Sequence, residues 1–168
     1  MLTREEKGRE IAEGVKAIKN AKNLIFADFT TVPTKDIRRL KIELKKAGAA
    51  YRVMKKRLLN LALKRAAVPV DAAAFPGQIA LVSAPGELTS VAAPLYKFQK
   101  EMIKAKRQFV VVGAYDIAGA VAITVDEFTA IAKLPSREIL LAQVLGAITG
   151  PLRKFMYTIQ EIVKQKSK

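Results

Sequence analysis

From Leu141 to Ile162 the large apolar residues Leu141, Leu145, Ile148, Leu152, Phe155, Ile159 and Ile162 follow one another at intervals of 4, 3, 4, 3, 4 and 3. At 3.6 residues per turn these positions share one side of an α-helix, as the seam of a coiled coil does. The end of the chain is therefore expected to be helical, with an apolar stripe widened by Val144, Met156 and Val163. Gly150-Pro151 interrupts it. Proline removes a backbone donor and disfavours helical geometry at the residue before it, so a kink or two abutting segments are expected there.

Each seam side chain gains roughly 1.5–3 kcal/mol on burial, too much apolar surface to leave in water along a free helix. Three covers compete. The helix could return to the preceding domain, although some 30 residues make a rod of about 45 Å, longer than such a body needs. A transmembrane span is disfavoured because Arg153-Lys154 cuts the apolar run to about 14 residues where about 20 are required. A membrane-surface helix stays open, since Lys164, Lys166 and Lys168 could meet anionic lipid. Docking of partner helices suits the 4-3 seam best.

The rest of the chain alternates strand and helix. Thr3 and Glu6 have capping-box spacing ahead of a helix over about 4–20. NLIFADF (23–29) is a short apolar strand ended by TTVPT, and Thr34 is placed to cap a helix that Gly48 terminates. A strand at 49–54, a helix at 56–66, a strand at 78–84, a helix over about 90–104 and strands at 108–116 and 120–124 follow. Thr124 and Glu127 form a second capping box for a helix around 125–133, and Ser136 caps the last helix. This pattern predicts an α/β fold, with one mixed sheet flanked by helices in residues 1–134, and a helical segment in 135–168.

The chain has neither Cys nor His, which removes thiol nucleophiles, the usual zinc ligands and the commonest general base. Phosphate-cradling glycine motifs and GxSxG are absent and the acids are scattered singly, so no enzyme, cofactor or metal is expected. MLTREEKGRE has no apolar signal-peptide core, and the cytoplasm is the expected compartment.

The net charge of +15 is unevenly placed. Residues 1–70 hold 18 Lys/Arg against 7 Asp/Glu, whereas residues 71–135 hold 6 of each. Confinement of this kind favours a face for polyanion over a merely solvated surface. Lys55-Lys56-Arg57 falls between a strand and a helix, where ammonium groups and free backbone N–H groups can meet one phosphate. Lys35, Arg38, Lys41 and Lys45 recur along one side of the preceding helix, and Lys64 and Arg65 end the following one. Contact with about 6 phosphates gives a log–log salt slope of the order of −4 to −5. Phe29 and Tyr51 are near enough in sequence to stack on bases, and serve equally well as core.

Several stretches resemble the large-subunit ribosomal protein ten family: TREEK at 3–7, IFADFTTVPT, LKIELKKAGAAYRVMKKRLLNLALKRA, ALVSAPGELTSVAAPLYKF, LPSREILLAQVLGAI and RKFMYTIQEIVKQKSK. The likeness spans essentially the whole chain in order. It implies a scaffold whose N-terminal α/β domain binds large-subunit rRNA at the stalk base, beside ribosomal protein eleven. A long C-terminal helix would anchor dimers of the acidic stalk protein, which recruit translational GTPases. The implied RNA-binding residues are Arg4, Lys7, Phe29, Lys35, Arg38, Lys41, Lys45, Lys55, Lys56, Arg57, Lys64 and Arg65. The implied partner-binding residues are Leu141, Leu145, Ile148, Leu152, Phe155, Met156, Ile159 and Ile162. Lys56 and Arg57 replace an Asn-Thr pair common in the family, and Asp28-Phe29-Thr30-Thr31-Val32 lacks the family's glycine. The last helix looks about three turns shorter than in longer members. With Gly150-Pro151 dividing 138–149 from 152–163, that implies two stalk dimers. A different RNA-binding or ribosome-assembly factor of the same fold is the alternative, and a membrane-associated basic protein the third.

Overall fold

The strand NLIFAD is apolar at each inner position, which suits a strand covered on both faces. In the computed structural model, which describes residues 4–135 and 137–166, it is the central strand of a five-stranded sheet. The elements run α1 (Arg4–Lys19), β1 (Asn23–Asp28), α2 (Thr34–Lys46), β2 (Ala50–Val53), α3 (Lys56–Arg65) and β3 (Ile79–Ala84). They continue with α4 (Leu88–Lys104), β4 (Val110–Asp116), β5 (Val121–Ile123), α5 (Val125–Ala132) and α6 (Arg137–Lys166). The chain divides into two compact units, 1–134 and 135–168.

The strand order is β2-β3-β1-β4-β5, and each neighbouring pair is antiparallel. The α/β architecture is as expected, but the sheet is not mixed. The crossover β1–α2–β2 joins two strands of like direction and leaves β3 between them; β3–α4–β4 does the same around β1. Alternation of strand and helix therefore coexists with wholly antiparallel pairing, because parallel strands are never neighbours.

Period-2 alternation sorts the core into two layers. Ile25 and Ala27 of β1 face Leu40, Leu44, Leu95 and Phe128 of α2, α4 and α5. Leu24 and Phe26 face Ile11, Ile18, Leu59 and Leu63 of α1 and α3. On β4 the alternation slips once, where the register with β1 shifts between Phe26 and Ala27. The extra residue, Val112, lets Val111 and Ala114 share one layer while Val112 and Tyr115 share the other.

Helix ends follow local chemistry. Thr124 and Glu127 form the expected capping box of α5. Gly48, at φ +77°, ends α2 in a Schellman arrangement, with Gly48 N–H donating to Lys45 O and Ala49 N–H to Leu44 O. Ala67 and Lys106 occupy the same left-handed position after α3 and α4. Thr34 is not a cap: it is the first residue of α2, preceded by Pro33, with no side-chain capping bond. The capping roles of Thr3 and Ser136 lie outside the described residues.

Candidate nucleic-acid and partner interfaces

Because β1 and β2 point the same way, their carboxyl ends and the N-terminal ends of α2 and α3 meet at one end of the sheet. The start of the antiparallel β3 and the middle of α1 arrive there too: Arg52 of β2 pairs with Glu13 at 2.8 Å, and Gly14 packs against Met54. Between them opens a cavity of about 400 Å³ lined by Glu10, Phe29, Val53, Met54, Lys55, Lys56, Gly77, Gln78 and Ile79.

Its shape is set by a knot around Asp28. One carboxylate oxygen accepts from the N–H of Thr30 at 3.0 Å, from the Thr30 hydroxyl, and from the N–H of Gln78 at 3.2 Å. Phe29 N–H donates to the Gln78 carbonyl at 3.1 Å, which fixes the ring at the rim, edge-on to Tyr51 with centroids 6.5 Å apart. Gly77 sits at φ +68°, and a Cβ there would lie 2.0 Å from the Asp28 carboxylate. No other residue fits that place.

α3 begins without a side-chain cap, after Lys55 in extended geometry. Its first N–H groups and the exposed Lys55 ammonium thus present positive potential at the mouth. Lys56 is only half-exposed, and its ammonium donates to the Phe75 carbonyl at 2.7 Å, tying down the loop before β3. Part of its charge is structural.

The other candidates divide by location. Lys56, Arg57 and Lys64 border a second groove of about 510 Å³ along α3, with Asn60, Leu61 and Ala73. Lys35, Arg38, Lys41 and Lys45 are exposed on α2, which covers the opposite face of the sheet from α3. On the α2 side the Lys41 ammonium reaches edge strand β2, 5.6 Å from the Tyr51 ring centroid. Burial pushes the Tyr51 phenol well above its usual range, so it stays neutral. Lys45, Lys64 and Arg65 stand at the far ends of their helices, about 12–17 Å along the axis from the sheet end. Lys7 is exposed on the first turns of α1; Arg4 starts that helix, and its side chain lies outside the described residues.

Charge pairing separates these residues from their neighbours. Arg39 pairs with Glu43 and Glu101, Arg52 with Glu13, and Arg107 with Asp36. Among the described residues no such acid partner meets Lys35, Arg38, Lys45, Lys55, Arg57, Lys64 or Arg65. Sequence reasoning missed Glu10, Met54, Gln78 and Gly77 at the cavity, for which only the Pro76-Gly77 turn signal was available.

In the second unit α6 is helical throughout Arg137–Lys166, with Pro151 inside it. The expected division into abutting helices is thus not made by a break in the helix; what Pro151 removes is the N–H that would meet the Ala147 carbonyl. Its seam is exposed, from 41 % at Ile159 to 66 % at Ile148. Arg153, Lys154, Tyr157, Glu161 and Lys164 lie on the opposite side by the 100° step of the helix. Over Glu138–Lys166, α6 is also long and apolar enough to cross a membrane, with mean hydropathy 1.2 in an 18-residue window. Mean hydropathy averages the two faces and does not register the segregation of charge.

Comparison with known proteins gives the following. A family model described as Ribosomal protein L10 matches residues 2–100, and one for the Ribosomal protein uL10 C-terminal region matches residues 134–168. The Large ribosomal subunit protein uL10 of Fusobacterium nucleatum is 32 % identical over 158 residues, covering 93 % of this chain and 92 % of the relative. That of Geobacter metallireducens is 32 % identical over 155 residues, 92 % and 86 % of the two chains. That of Carboxydothermus hydrogenoformans is 30 % identical over 174 residues, 97 % and 96 % of the two.

Proposed function

Since the chain belongs to the ribosomal protein L10 family of the large ribosomal subunit, we propose that its first unit holds the protein on rRNA and that α6 anchors dimers of the acidic stalk protein. The family is one of structural ribosomal proteins, not enzymes, and works in the cytoplasmic ribosome. The observation that carries the anchoring role is the continuous exposed seam of α6 within the region matched to the uL10 C-terminal model. Partner helices laid along 138–149 and 152–163 cover that seam; translational GTPases reach the ribosome through those dimers.

The rRNA role rests on the unpaired cations at the sheet end and on α3, with ribosomal protein eleven as neighbour. Lys35, Arg38, Lys41 and Lys45 extend the same field around the β2 edge. Such a rigid array holds folded RNA by its phosphates and is strongly salt-sensitive.

Native mass spectrometry of the full chain with the acidic stalk protein tests the anchoring: two dimers are expected, three refute the count, and none refutes the role. Capture of anionic vesicles by a chain that ignores the stalk protein would support the membrane reading that the hydropathy of α6 leaves open. For rRNA, Lys55→Glu and Lys56→Glu are each expected to weaken binding of a stalk-base fragment; unchanged affinity in both moves the RNA face elsewhere.

A further inference from the structure

We infer that the cavity at the carboxyl ends of β1 and β2 receives one unstacked guanine of the bound RNA, with Glu10 reading its Watson–Crick edge. The inference rests on the rRNA-binding reading above and adds a base to it. Glu10 belongs to the cavity wall, and its Oε2 is buried with no hydrogen-bond partner. Glu10 as a whole is only partly buried, so its carboxylate can turn into the cavity, where a ligand's donors relieve the cost of an oxygen left without water or a hydrogen bond. Neither Lys55 nor Lys56, which also line the cavity, forms an ion pair with it among the described residues.

The interior does not suit phosphate. A carboxylate repels it, and Phe29, Val53 and Ile79 offer apolar surface in place of donors. A flat, neutral ring fits: Phe29 gives it a stacking face, and the volume of about 400 Å³ lies within the range of about 300–1,000 Å³ typical of small-ligand clefts. The cations belong to the mouth, where Lys55 and the uncapped start of α3 can hold the phosphates on either side of an extruded nucleotide. Gly77 keeps one wall as bare backbone.

The acceptor selects the base. A carboxylate only accepts, and guanine alone presents two adjacent donors, N1–H and the N2 amino group. Adenine and cytosine set an acceptor beside their amino group, and uracil flanks its single N–H with two carbonyls. Each of these turns a lone pair toward Glu10.

The test is interference mapping. A stalk-base rRNA fragment carrying sparse inosine, which lacks the N2 amino group, is selected for binding by the full-length wild-type chain and by Glu10→Gln. The inference expects one guanine at which inosine lowers wild-type binding about ten-fold or more; the same substitution should have no effect against Glu10→Gln. It also expects Glu10→Gln to bind the unmodified fragment more weakly, whereas a carboxylate that merely tempers the nearby lysines would, once neutralised, tighten binding. RNA bound with no interference that depends on Glu10, or bound more tightly by Glu10→Gln, overturns the guanine site and leaves the rRNA reading standing. A wild-type chain that binds no fragment overturns both. Equal thermal unfolding of the two proteins assigns the difference to the site.

Discussion

Replacing Leu145 and Ile148 by alanine should release one stalk dimer while leaving the protein itself as stable as before. The two side chains are 63 % and 66 % exposed, so about two-thirds of each remains to be buried by a partner. Full burial of such a side chain is worth about 1.5–3 kcal/mol, so truncating both forfeits about 2–4 kcal/mol of binding, or about 30- to 700-fold in Kd. The helix should survive, because alanine exceeds both leucine and isoleucine in helix propensity, and exposed substitutions change stability by about 0.5 kcal/mol or less. Calorimetric titration of the stalk protein, with native mass spectrometry for the count and far-UV circular dichroism for helicity, reads all three.

Phe155→Ala with Ile159→Ala should remove the other dimer, with the smaller contribution from Ile159, which is 41 % exposed. Tyr157→Ala is the internal control: at 72 % Tyr157 is more exposed than any of these, yet it lies off the seam, and its loss should leave both dimers in place. Either pair leaving both dimers bound refutes the segment assignment. An effect of Tyr157→Ala as large as that of a seam pair refutes the argument from helical spacing itself.

Gly77→Ala should destabilise the first unit by about 2–4 kcal/mol in urea unfolding, since it combines a left-handed backbone with a clash against Asp28. Gly86→Ala meets nothing within 4 Å and should be near neutral; similar losses for both would show that the Asp28 contact is not the cause. Ala67→Gly relieves a left-handed alanine after α3 and should stabilise by about 0.5–1 kcal/mol net of glycine's unfolded-state entropy, whereas a loss would mean that the Ala67 methyl group contributes packing. The backbone N–H of Thr124, followed by its hydroxyl, holds the Glu127 carboxyl below the ordinary range. A depressed folded pKa contributes stability above the unfolded value, about 4.3, that fades as pH falls through the folded one. The Tm advantage of wild type over Glu127→Gln should therefore shrink below about pH 4.3, and a constant difference across that window would contradict the capping account.

Features that depend on a few consecutive residues were legible from the chain alone. Thr124–Glu127, the Gly48 terminus and the doubly buried NLIFAD are of this kind, and so is the seam of α6, because a helix turns spacing directly into a face. Strand direction was not legible. Whether β1–α2–β2 encloses another strand depends on which later segment inserts, and β3, the strand that does so, is separated from the end of β2 by 25 residues. Thr34 failed as a cap for a local reason: Pro33 already starts the turn, and its single carbonyl accepts from the N–H groups of both Asp36 and Ile37, the donors a Thr34 cap would have met.

The same distinction separates the two interfaces. Net basicity could be approximated from composition, but individual pairing could not: among the described residues Arg39, Arg52 and Arg107 pair with Glu101, Glu13 and Asp36, acids that lie far along the chain from them. That reasoning finds where phosphates can be held. It cannot find a base pocket, which needs an acceptor, a ring and a bare backbone from segments far apart: Glu10 of α1, Phe29 just after β1 and Gly77 just before β3 come together only where those elements meet at one end of the sheet. Lys56 shows the price of reading charge alone, since part of its ammonium is spent on the Phe75 carbonyl. Affinity for RNA should accordingly follow residues visible in the sequence, while discrimination among bases should follow Glu10, an acid that a search for basic patches passes over.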